Sequence, residues 1–474
     1  MTRSTFLLGV GGAAVLAASR PPAAAQGRPR NVLWIMDDDH PSYMMSPMPL
    51  VQREIGTAGT EVLGGHADVP LCGPARVSAL TGLSVTTHGC DTNRTTYQDF
   101  LSAGLEDRMV ARWMREAGYV TGHFGKYVNG HDGATDVPPH WDRWCETMGD
   151  GSDSGGDARS PNTGNVDGAW VDIQDGLRPS IWAAEHCATF VRQSAGTPFF
   201  AHYCPSIPHE PYNPTSASEH LYDGDTRGVS SVNEKDMQDK PMWMRQLPKQ
   251  DVKAIQREFE GKKEELADLD HSCVRPILEA LAEAGELQNT VIFFTSDNGY
   301  MHGEHRLRKK DQPYWESSMV PFLAKGPGVG VGARLAPAVL ANHTDLAPTT
   351  CEIAGVDPLS LGVDGRSMLS LLGSGQDAGW RKRMLVTGSD VAGPGKPNPG
   401  GANNPSGRWW LLREGQRVFI LHENGQKELY NMDTDPLQKN NRIRAAKPNL
   451  VRHLVATTKA MRSASGARRR SLEQ

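Results

Sequence analysis

Short apolar runs that stop abruptly at polar residues punctuate this chain. Asn31-Val32-Leu33-Trp34-Ile35-Met36 ends at Asp37-Asp38-Asp39-His40. A brief, non-alternating apolar run predicts a strand buried on both faces, as in a parallel sheet. The same layout recurs where Tyr119-Val120-Thr121 leads towards Lys126, where Pro198-Phe199-Phe200-Ala201-His202-Tyr203 precedes a proline-rich loop, and where Thr290-Val291-Ile292-Phe293-Phe294-Thr295 delivers Ser296-Asp297-Asn298-Gly299. Helical patterning lies between these runs at residues 108–117, 181–193 and 251–284, the last closed by Gly285 and Asn289. Val320-Pro321-Phe322-Leu323 returns the chain to the sheet, and Thr344 or Asp345 caps a further helix. This order predicts an α/β protein, an α/β/α sandwich around a large, mostly parallel central sheet.

Residues 147–180 are rich in Gly, Asp and Ser and predict a long loop near the mouth of a site, whereas 212–250 are polar and irregular. Gly, Pro and Asn dominate 373–407 and bound a smaller α+β subdomain, in which residues 408–412 and 417–421 read as antiparallel strands. The expected organisation is a leader over 1–26, a main domain over 30–375, a subdomain over 380–455 and a basic, disordered tail over 456–474.

Composition narrows the function. The chain has 474 residues and a net charge of −5, which argues against a nucleic-acid binder working through a basic field. Arg3, an apolar stretch over 6–18 and Ala23-Ala24-Ala25 before Gln26 have a signal-peptide layout. That stretch is too short and Gly-rich to span a bilayer comfortably, and no second long apolar run follows. Export to the periplasm or the exterior is expected, with no stable membrane insertion after cleavage.

The candidate chemistry sits at the strand ends. Three adjacent carboxylates there repel unless a cation neutralises them, and hard oxygen ligands suit calcium or magnesium; a solvated acidic turn is the alternative. Asp297 and Asn298, arriving on another strand, can complete such an oxygen shell. In Cys72-Gly73-Pro74-Ala75-Arg76-Val77-Ser78-Ala79-Leu80-Thr81-Gly82, Cys72 stands where a loop feeds a helix that Gly82 stops. Helix dipoles and the nearby guanidinium favour an anionic or strongly nucleophilic group at that position. His209, at a strand end between prolines, suits holding an anionic ester or protonating its leaving oxygen.

With its neighbours, the Cys72 segment resembles the C-x-P-S-R…L-T-G signature of type I sulfatases, with Ala75 in place of the usual Ser. The resemblance runs in order from about Arg30 to Arg442 and implies an alkaline-phosphatase-like fold. It implies that a formylglycine-generating enzyme oxidises Cys72 to formylglycine (3-oxoalanine), whose hydrated aldehyde is the nucleophile. It also implies calcium, or magnesium, held by Asp38, Asp39, Asp297, Asn298 and residue 72, with Asp37 as an extra acid. Arg76 would orient the diol, Lys126 and Lys310 would bind the ester oxygens, and His209 would act as the acid; Lys310 is favoured over Lys309 by its spacing from Pro313-Tyr314.

Gly125-Lys126-Tyr127-Val128-Asn129 is similar to the N-acetylglucosamine-6-sulfatases and heparan endosulfatases, with Val128 where many sulfatases have His. Asn129 is then expected to take over part of that role in substrate binding. His305, in Gly303-Glu304-His305-Arg306-Leu307, is expected to bind substrate too. Glu428-Leu429-Tyr430-Asn431-Met432 and the following Asp435-Pro436 are similar to the end of the family pattern. Sulfated sugars or glycosaminoglycan fragments are the implied substrates. A phosphonate monoester or phosphodiester hydrolase of the same superfamily and a non-catalytic binder of sulfated glycans are the rival readings. Of the seven cysteines, conversion of Cys72 leaves six that either pair in an oxidising compartment or serve as small buried hydrophobes.

Overall fold

The alternation of Asn31–Asp37 (β1) between two apolar layers organises the molecule. Val32, Trp34 and Met36 face one core with Leu80, Met114 and Leu346, while Leu33 and Ile35 face another with Trp182, Leu266 and Leu281. Successive side chains on a strand point to opposite faces, so a run apolar at every position needs cover on both. In this computed structural model, which describes residues 29–131, 136–147, 163–173, 177–375, 379–388 and 407–474, helices supply that cover on both sides.

The strands that follow are β2 (Thr60–His66), β3 (Val120–Gly125), β4 (Arg143–Thr147), β5 (Thr163–Val166), β6 (Ala169–Asp172), β7 (Phe199–Cys204) and β8 (Thr290–Ser296). After them come a short ribbon, β9 (Met301–His302) and β10 (Arg308–Lys309), then β11 (Phe322–Lys325) and β12 (Ala333–Asn342). Ten of them form one sheet in the order β12-β2-β11-β8-β1-β7-β3-β4-β5-β6. β1 runs parallel to β7 and β8, β3 parallel to β7 and β4, and β11 antiparallel to β8 and β2. The C-terminal ends of β1, β3, β7 and β8 therefore lie side by side, the edge at which open α/β sheets build their sites. A second sheet, β13 (Arg383–Thr387), β14 (Trp409–Glu414), β15 (Arg417–His422) and β16 (Lys427–Asn431), is antiparallel in that order. The α/β/α architecture and the small antiparallel C-terminal sheet are those expected from sequence.

Several local expectations are corrected. The loop expected over 147–180 contains the β5–β6 hairpin, which extends the main sheet; 148–162 and 174–176 lie outside the described residues. The helix Leu346–Ile353 is entered through a 3-10 turn, His343–Asp345, whose cap is Asn342 rather than Thr344 or Asp345. Asn342 Oδ1 accepts from the Thr344 backbone at 3.1 Å while Asp345 Oδ2 accepts from the Asn342 backbone at 3.0 Å, a reciprocal box. All seven cysteines are buried free thiols, so the six besides Cys72 are not paired in disulfides. The leader expected over 1–26 lies outside the described residues, as do 376–378 and 389–406 of the Gly/Pro-rich boundary. β13 lies within that boundary, so the subdomain sheet starts inside it. Among the described residues, no helix is long and apolar enough to cross a membrane.

The tail is ordered, against the expectation of disorder over 456–474. Pro448–Arg462 and Gly466–Leu472 are helices, and Leu454 and Met461 pack with Leu385, Trp410 and Leu412 behind the second sheet. Apolar residues at helical spacing outweigh the local run of arginines. Arg469 itself is buried, donating to Thr86 Oγ1 at 3.1 Å.

A buried ion pair joins the two sheets' surroundings. Arg381, just before β13, donates Nη1 to Asp345 Oδ2 at 2.8 Å, and both side chains are shielded from water. Removing one partner leaves a buried charge uncompensated. Arg381→Ala is expected to lower unfolding free energy by about 3–5 kcal/mol, measured by urea melts, whereas adding dithiothreitol should leave the wild-type melting temperature unchanged.

Candidate active site

Each strand end contributes a charged group to one pocket. β1 runs on into Asp38 and Asp39, and Asp39 adopts a left-handed backbone, φ 67°, which Asp tolerates better than most residues. That turn brings both carboxylates to one place, and the Asp39 backbone N–H donates to Asp297 Oδ1 at 3.2 Å. Asp37 is held apart, 2.7 Å from His40 Nδ1. At the end of β3, Gly125 has φ 103°, and a Cβ there would stand 2.1 Å from the Cys204 carbonyl. Only glycine lets the backbone pass so close to β7, and the next residue, Lys126, leads its ammonium to Asp38.

The helix Cys72–Thr81 begins at Cys72 and stops at Gly82, whose φ of 67° and N–H bond to Ser78 O at 2.9 Å form a left-handed C-cap. Pro74 sits in the first turn, where no intrahelical N–H is needed. Arg76 follows Cys72 by one turn on the same helix face. Its Nε donates to Asp297 Oδ2 at 2.9 Å, Nη2 lies 3.6 Å from Asp38 Oδ2, and Nη1 donates to Lys126 O at 3.0 Å.

Around Cys72 the contacts are dense. Sγ lies 3.3 Å from Asp38 Oδ1, 4.0 Å from Asp39 Oδ1 and 2.8 Å from Lys310 Nζ. Lys310 also donates to Asp39 Oδ1 at 2.6 Å, and Lys126 is ion-paired with Asp38. His209 Nδ1 lies 2.6 Å from the Glu210 carbonyl, so that nitrogen carries the proton; Nε2 lies 3.7 Å from Asp39 Oδ2. Lys126 and His209 keep 14% and 19% of their side-chain surface, which marks the solvent side of the pocket.

Charge in this dry space is finely opposed. Burial works to raise the Asp38 carboxyl, but Lys126, His209, Lys310 and Arg76 hold it well below the usual carboxylate range. Burial and the neighbouring Asp38 push Asp297 up to about 6 despite Arg76. Burial, with Asp297 and Asp38 alongside, also drives the Cys72 thiol upwards, although Lys126 and Lys310 pull the other way. The expectation of a dipole-activated thiolate is thus reversed, because carboxylates and desolvation outweigh the helix terminus. Burial and Lys310 lower His209 towards its neutral form.

The residues present suit a hard divalent cation. Asp39 Oδ2 and Asn298 Oδ1 are buried oxygens with no hydrogen-bond donor, in the same pocket as Asp38 and Asp297. Asn298 Nδ2 is turned to Asp39 Oδ1 at 2.6 Å and to Gly299 O at 2.8 Å, which leaves its oxygen as the open donor atom. Oxygen ligands of this kind match calcium or magnesium rather than a soft metal.

Two further expected substrate-binding residues make contacts away from the acids. His305 is buried with Nδ1 2.6 Å from Glu234 Oε2 and its ring 4.2 Å from Tyr314, and none of these contacts reaches the pocket. Left-handed backbone at His305 and Arg306 turns the chain inward there. Asn129 is half-buried, with its backbone carbonyl accepting from Tyr97 N at 3.1 Å, while its side-chain Oδ1 has no hydrogen-bond donor among the described residues.

One participant was missed. Lys262, from the helix Val252–Asp268, is buried and donates to Asp39 O at 2.9 Å and Pro208 O at 2.8 Å, tying the acidic turn to the His209 loop. In sequence it sits in a charged stretch that reads as a solvated helix face; Gly261 beside it, where a Cβ would meet the Tyr212 ring at 2.8 Å, was the available signal of close packing.

A second buried group, His123, His202 and Cys204, is a closed hydrogen-bond chain. Cys204 Sγ lies 3.0 Å from His202 Nε2, His202 Nδ1 lies 3.1 Å from His123 Nδ1, and His123 Nε2 lies 3.1 Å from Gly125 O. Desolvation takes His202 down to about 3, which favours its neutral form.

Buried carboxylates and an amide oxygen, ringed by two lysines and an arginine, thus lie together at the C-terminal edge of a parallel sheet, where open α/β sheets build their sites. The chain belongs to the sulfatase family: the family profile described as Sulfatase matches residues 30–356. It is 31% identical over 393 residues to the extracellular sulfatase SULF-1 homolog of Drosophila melanogaster, covering 78% of this chain but only 34% of that one. The chain therefore spans about a third of that relative's length. Human N-acetylglucosamine-6-sulfatase is 26% identical over 498 residues, covering 94% of this chain and 86% of its own. Among solved structures, a protein in complex with its substrate D-glucosamine-2-N,6-O-disulfate matches with a TM-score of 0.73 at 20% identity, over 91% of this chain and 97% of that one, a likeness of fold.

Calcium is expected to raise the melting temperature of the metal-stripped protein. At a hundredfold excess over Kd the gain is about 2.7 kcal/mol. In Asn298→Ala the midpoint of the calcium titration should move to at least tenfold higher concentration, roughly the loss of one good ligand.

Proposed function

We propose that the chain hydrolyses sulfate monoesters of sulfated amino sugars or glycosaminoglycan fragments, using residue 72 after conversion to formylglycine and one bound calcium. The observation that carries this reading is the convergence on Cys72 Sγ of Asp38 at 3.3 Å and Lys310 at 2.8 Å, with Arg76 and Lys126 beside them. Hydrated formylglycine would supply one hydroxyl to displace the alcohol from sulfur and a second whose deprotonation would reform the aldehyde and release sulfate. Asp38, Asp39, Asp297 and Asn298 would hold the calcium, which would supply positive charge for the sulfate oxygens.

The chain's own side chains do the rest. Lys126 and Lys310 carry ammonium groups at the two sides of residue 72, where they neutralise the oxygens of the transferring group. Buried, preoriented cations gain most as charge shifts in the transition state, since no solvent need reorganise. Arg76, fixed by Asp297, orients residue 72 from one helical turn away. His209 presents Nε2 to the pocket from its solvent side, placed to hold or protonate the leaving oxygen. Lys262 fixes the Asp39 turn and the His209 loop relative to each other, so the acids and the imidazole keep one geometry.

Maturation by a formylglycine-generating enzyme reading Cys72, Pro74 and Arg76, and export to the periplasm or exterior, belong to the same proposal. Its support is the family membership and the N-acetylglucosamine-6-sulfatase relatives.

Mass spectrometry of the tryptic peptide containing residue 72, from protein made in its natural host, should show a loss of roughly 18 Da on exchange of thiol for aldehyde. Cys72→Ala should abolish turnover of sulfate esters. Lys310→Ala should lower kcat/KM by about 10²–10³-fold, the scale of one lost charge-stabilising contact. Faster turnover of phosphonate or phosphate esters than of sulfate esters would favour the phosphonate hydrolase instead, and an unconverted but fully active enzyme would rule out the mechanism.

A further inference from the structure

Consecutive residues after the β9–β10 ribbon begins its return point in different directions. Lys310 is 4% exposed and enters the pocket, whereas Lys309 is 39% exposed and ion-pairs with Glu210, itself 26% exposed. Lys309 and Asp311 both have left-handed backbone, φ 69° and 60°, which sets this alternation. Glu210 follows His209 directly, as Lys309 precedes Lys310. The Lys309–Glu210 pair therefore joins the two loops that supply His209 and Lys310, at the solvent side of the same Asp39 carboxylate. Arg308, the residue before Lys309, is ion-paired with Glu258.

An ion pair this open to water is weakly held, because solvent screens the attraction and two long side chains are immobilised to make it. The buried Lys310 contacts are not exchangeable in that way. We propose that the Lys309–Glu210 pair is a specificity element: on binding, a second anionic group of the substrate replaces Glu210 at Lys309, so the enzyme selects sugars bearing an N-sulfo or carboxylate group besides the ester that is cleaved. This rests on the sulfated-sugar reading above and deepens it. Lys309 supplies the ammonium for the second anion, and Glu210 is its occupant in the free protein, disfavouring substrates with nothing to exchange for it. An attractive group together with a competitor of like charge to the ligand yields selectivity as well as affinity.

The test is the ratio of kcat/KM for D-glucosamine-2-N,6-O-disulfate over D-glucosamine 6-O-sulfate, using converted, calcium-loaded enzyme. The wild type should favour the disulfate by about tenfold, the scale of one charge-assisted contact. Lys309→Ala should bring the ratio close to one, and Lys309→Arg should restore it. Glu210→Gln should keep the preference or raise it, since it removes only the competitor. A wild-type ratio of one or below, a Lys309→Ala ratio equal to wild type, or a fall of the ratio in both Lys309→Ala and Glu210→Gln would overturn the proposal, the last showing a mere clamp between loops. Failure of the wild type to cleave either sugar would overturn the sulfated-sugar reading itself.

Discussion

Three carboxylates, Asp38, Asp39 and Asp297, are buried together at one edge of a parallel sheet, and the surrounding architecture answers that burial. Isolated ionised acids in a dry interior cost many kcal/mol, so such a cluster persists only with cations in direct reach. Arg76, Lys126, Lys310 and Lys262 come from four separate segments to provide them. Local features of the sequence position three of the four. Gly82 caps the Cys72 helix, Gly125 permits the close passage before Lys126, and left-handed residues turn the loop around Lys310. Burial first, and then Asp297 and Asp38, push the Cys72 thiol upwards, against the pull of Lys126 and Lys310.

Much of this was legible in the sequence because parallel sheets concentrate information at strand ends. An apolar run with no alternation has one stable setting, between two layers, and the first polar residue after it must emerge at an edge. Lys126, His209, Asp297 and Asn298 could be placed near that edge on this basis, while the family pattern singled out Asp38 and Asp39 over Asp37, and the structure brings these six side chains together. Cys72 and Arg76 came from motif resemblance combined with helix periodicity, and Lys310 from spacing.

What the sequence hid was decided by tertiary context. Lys262 looks like any lysine on a charged helix until the Asp39 carbonyl is found above it. His305 belongs to a motif that passes near the site, yet backbone turns at His305 and Arg306 commit the ring to Glu234 and Tyr314. The arginine-rich tail reads as solvated because charge density is conspicuous and the spacing of Leu454 and Met461 is not. Asn342 took the helix cap because a 3-10 turn inserted ahead of Leu346 moved the start upstream. In each case a long-range partner overrode a local preference, as propensity arguments allow.

The central claim is that residue 72 and the four oxygen-bearing side chains share one cation. A crystal structure grown with calcium tests this most directly, through anomalous scattering at the ion. The account predicts one calcium within about 2.3–2.6 Å of oxygens from Asp38, Asp39, Asp297 and Asn298, with a side-chain oxygen of a converted residue 72 in the same shell. A fully occupied calcium site elsewhere, with these side chains still paired only to Lys126, Lys310 and Arg76, would contradict it.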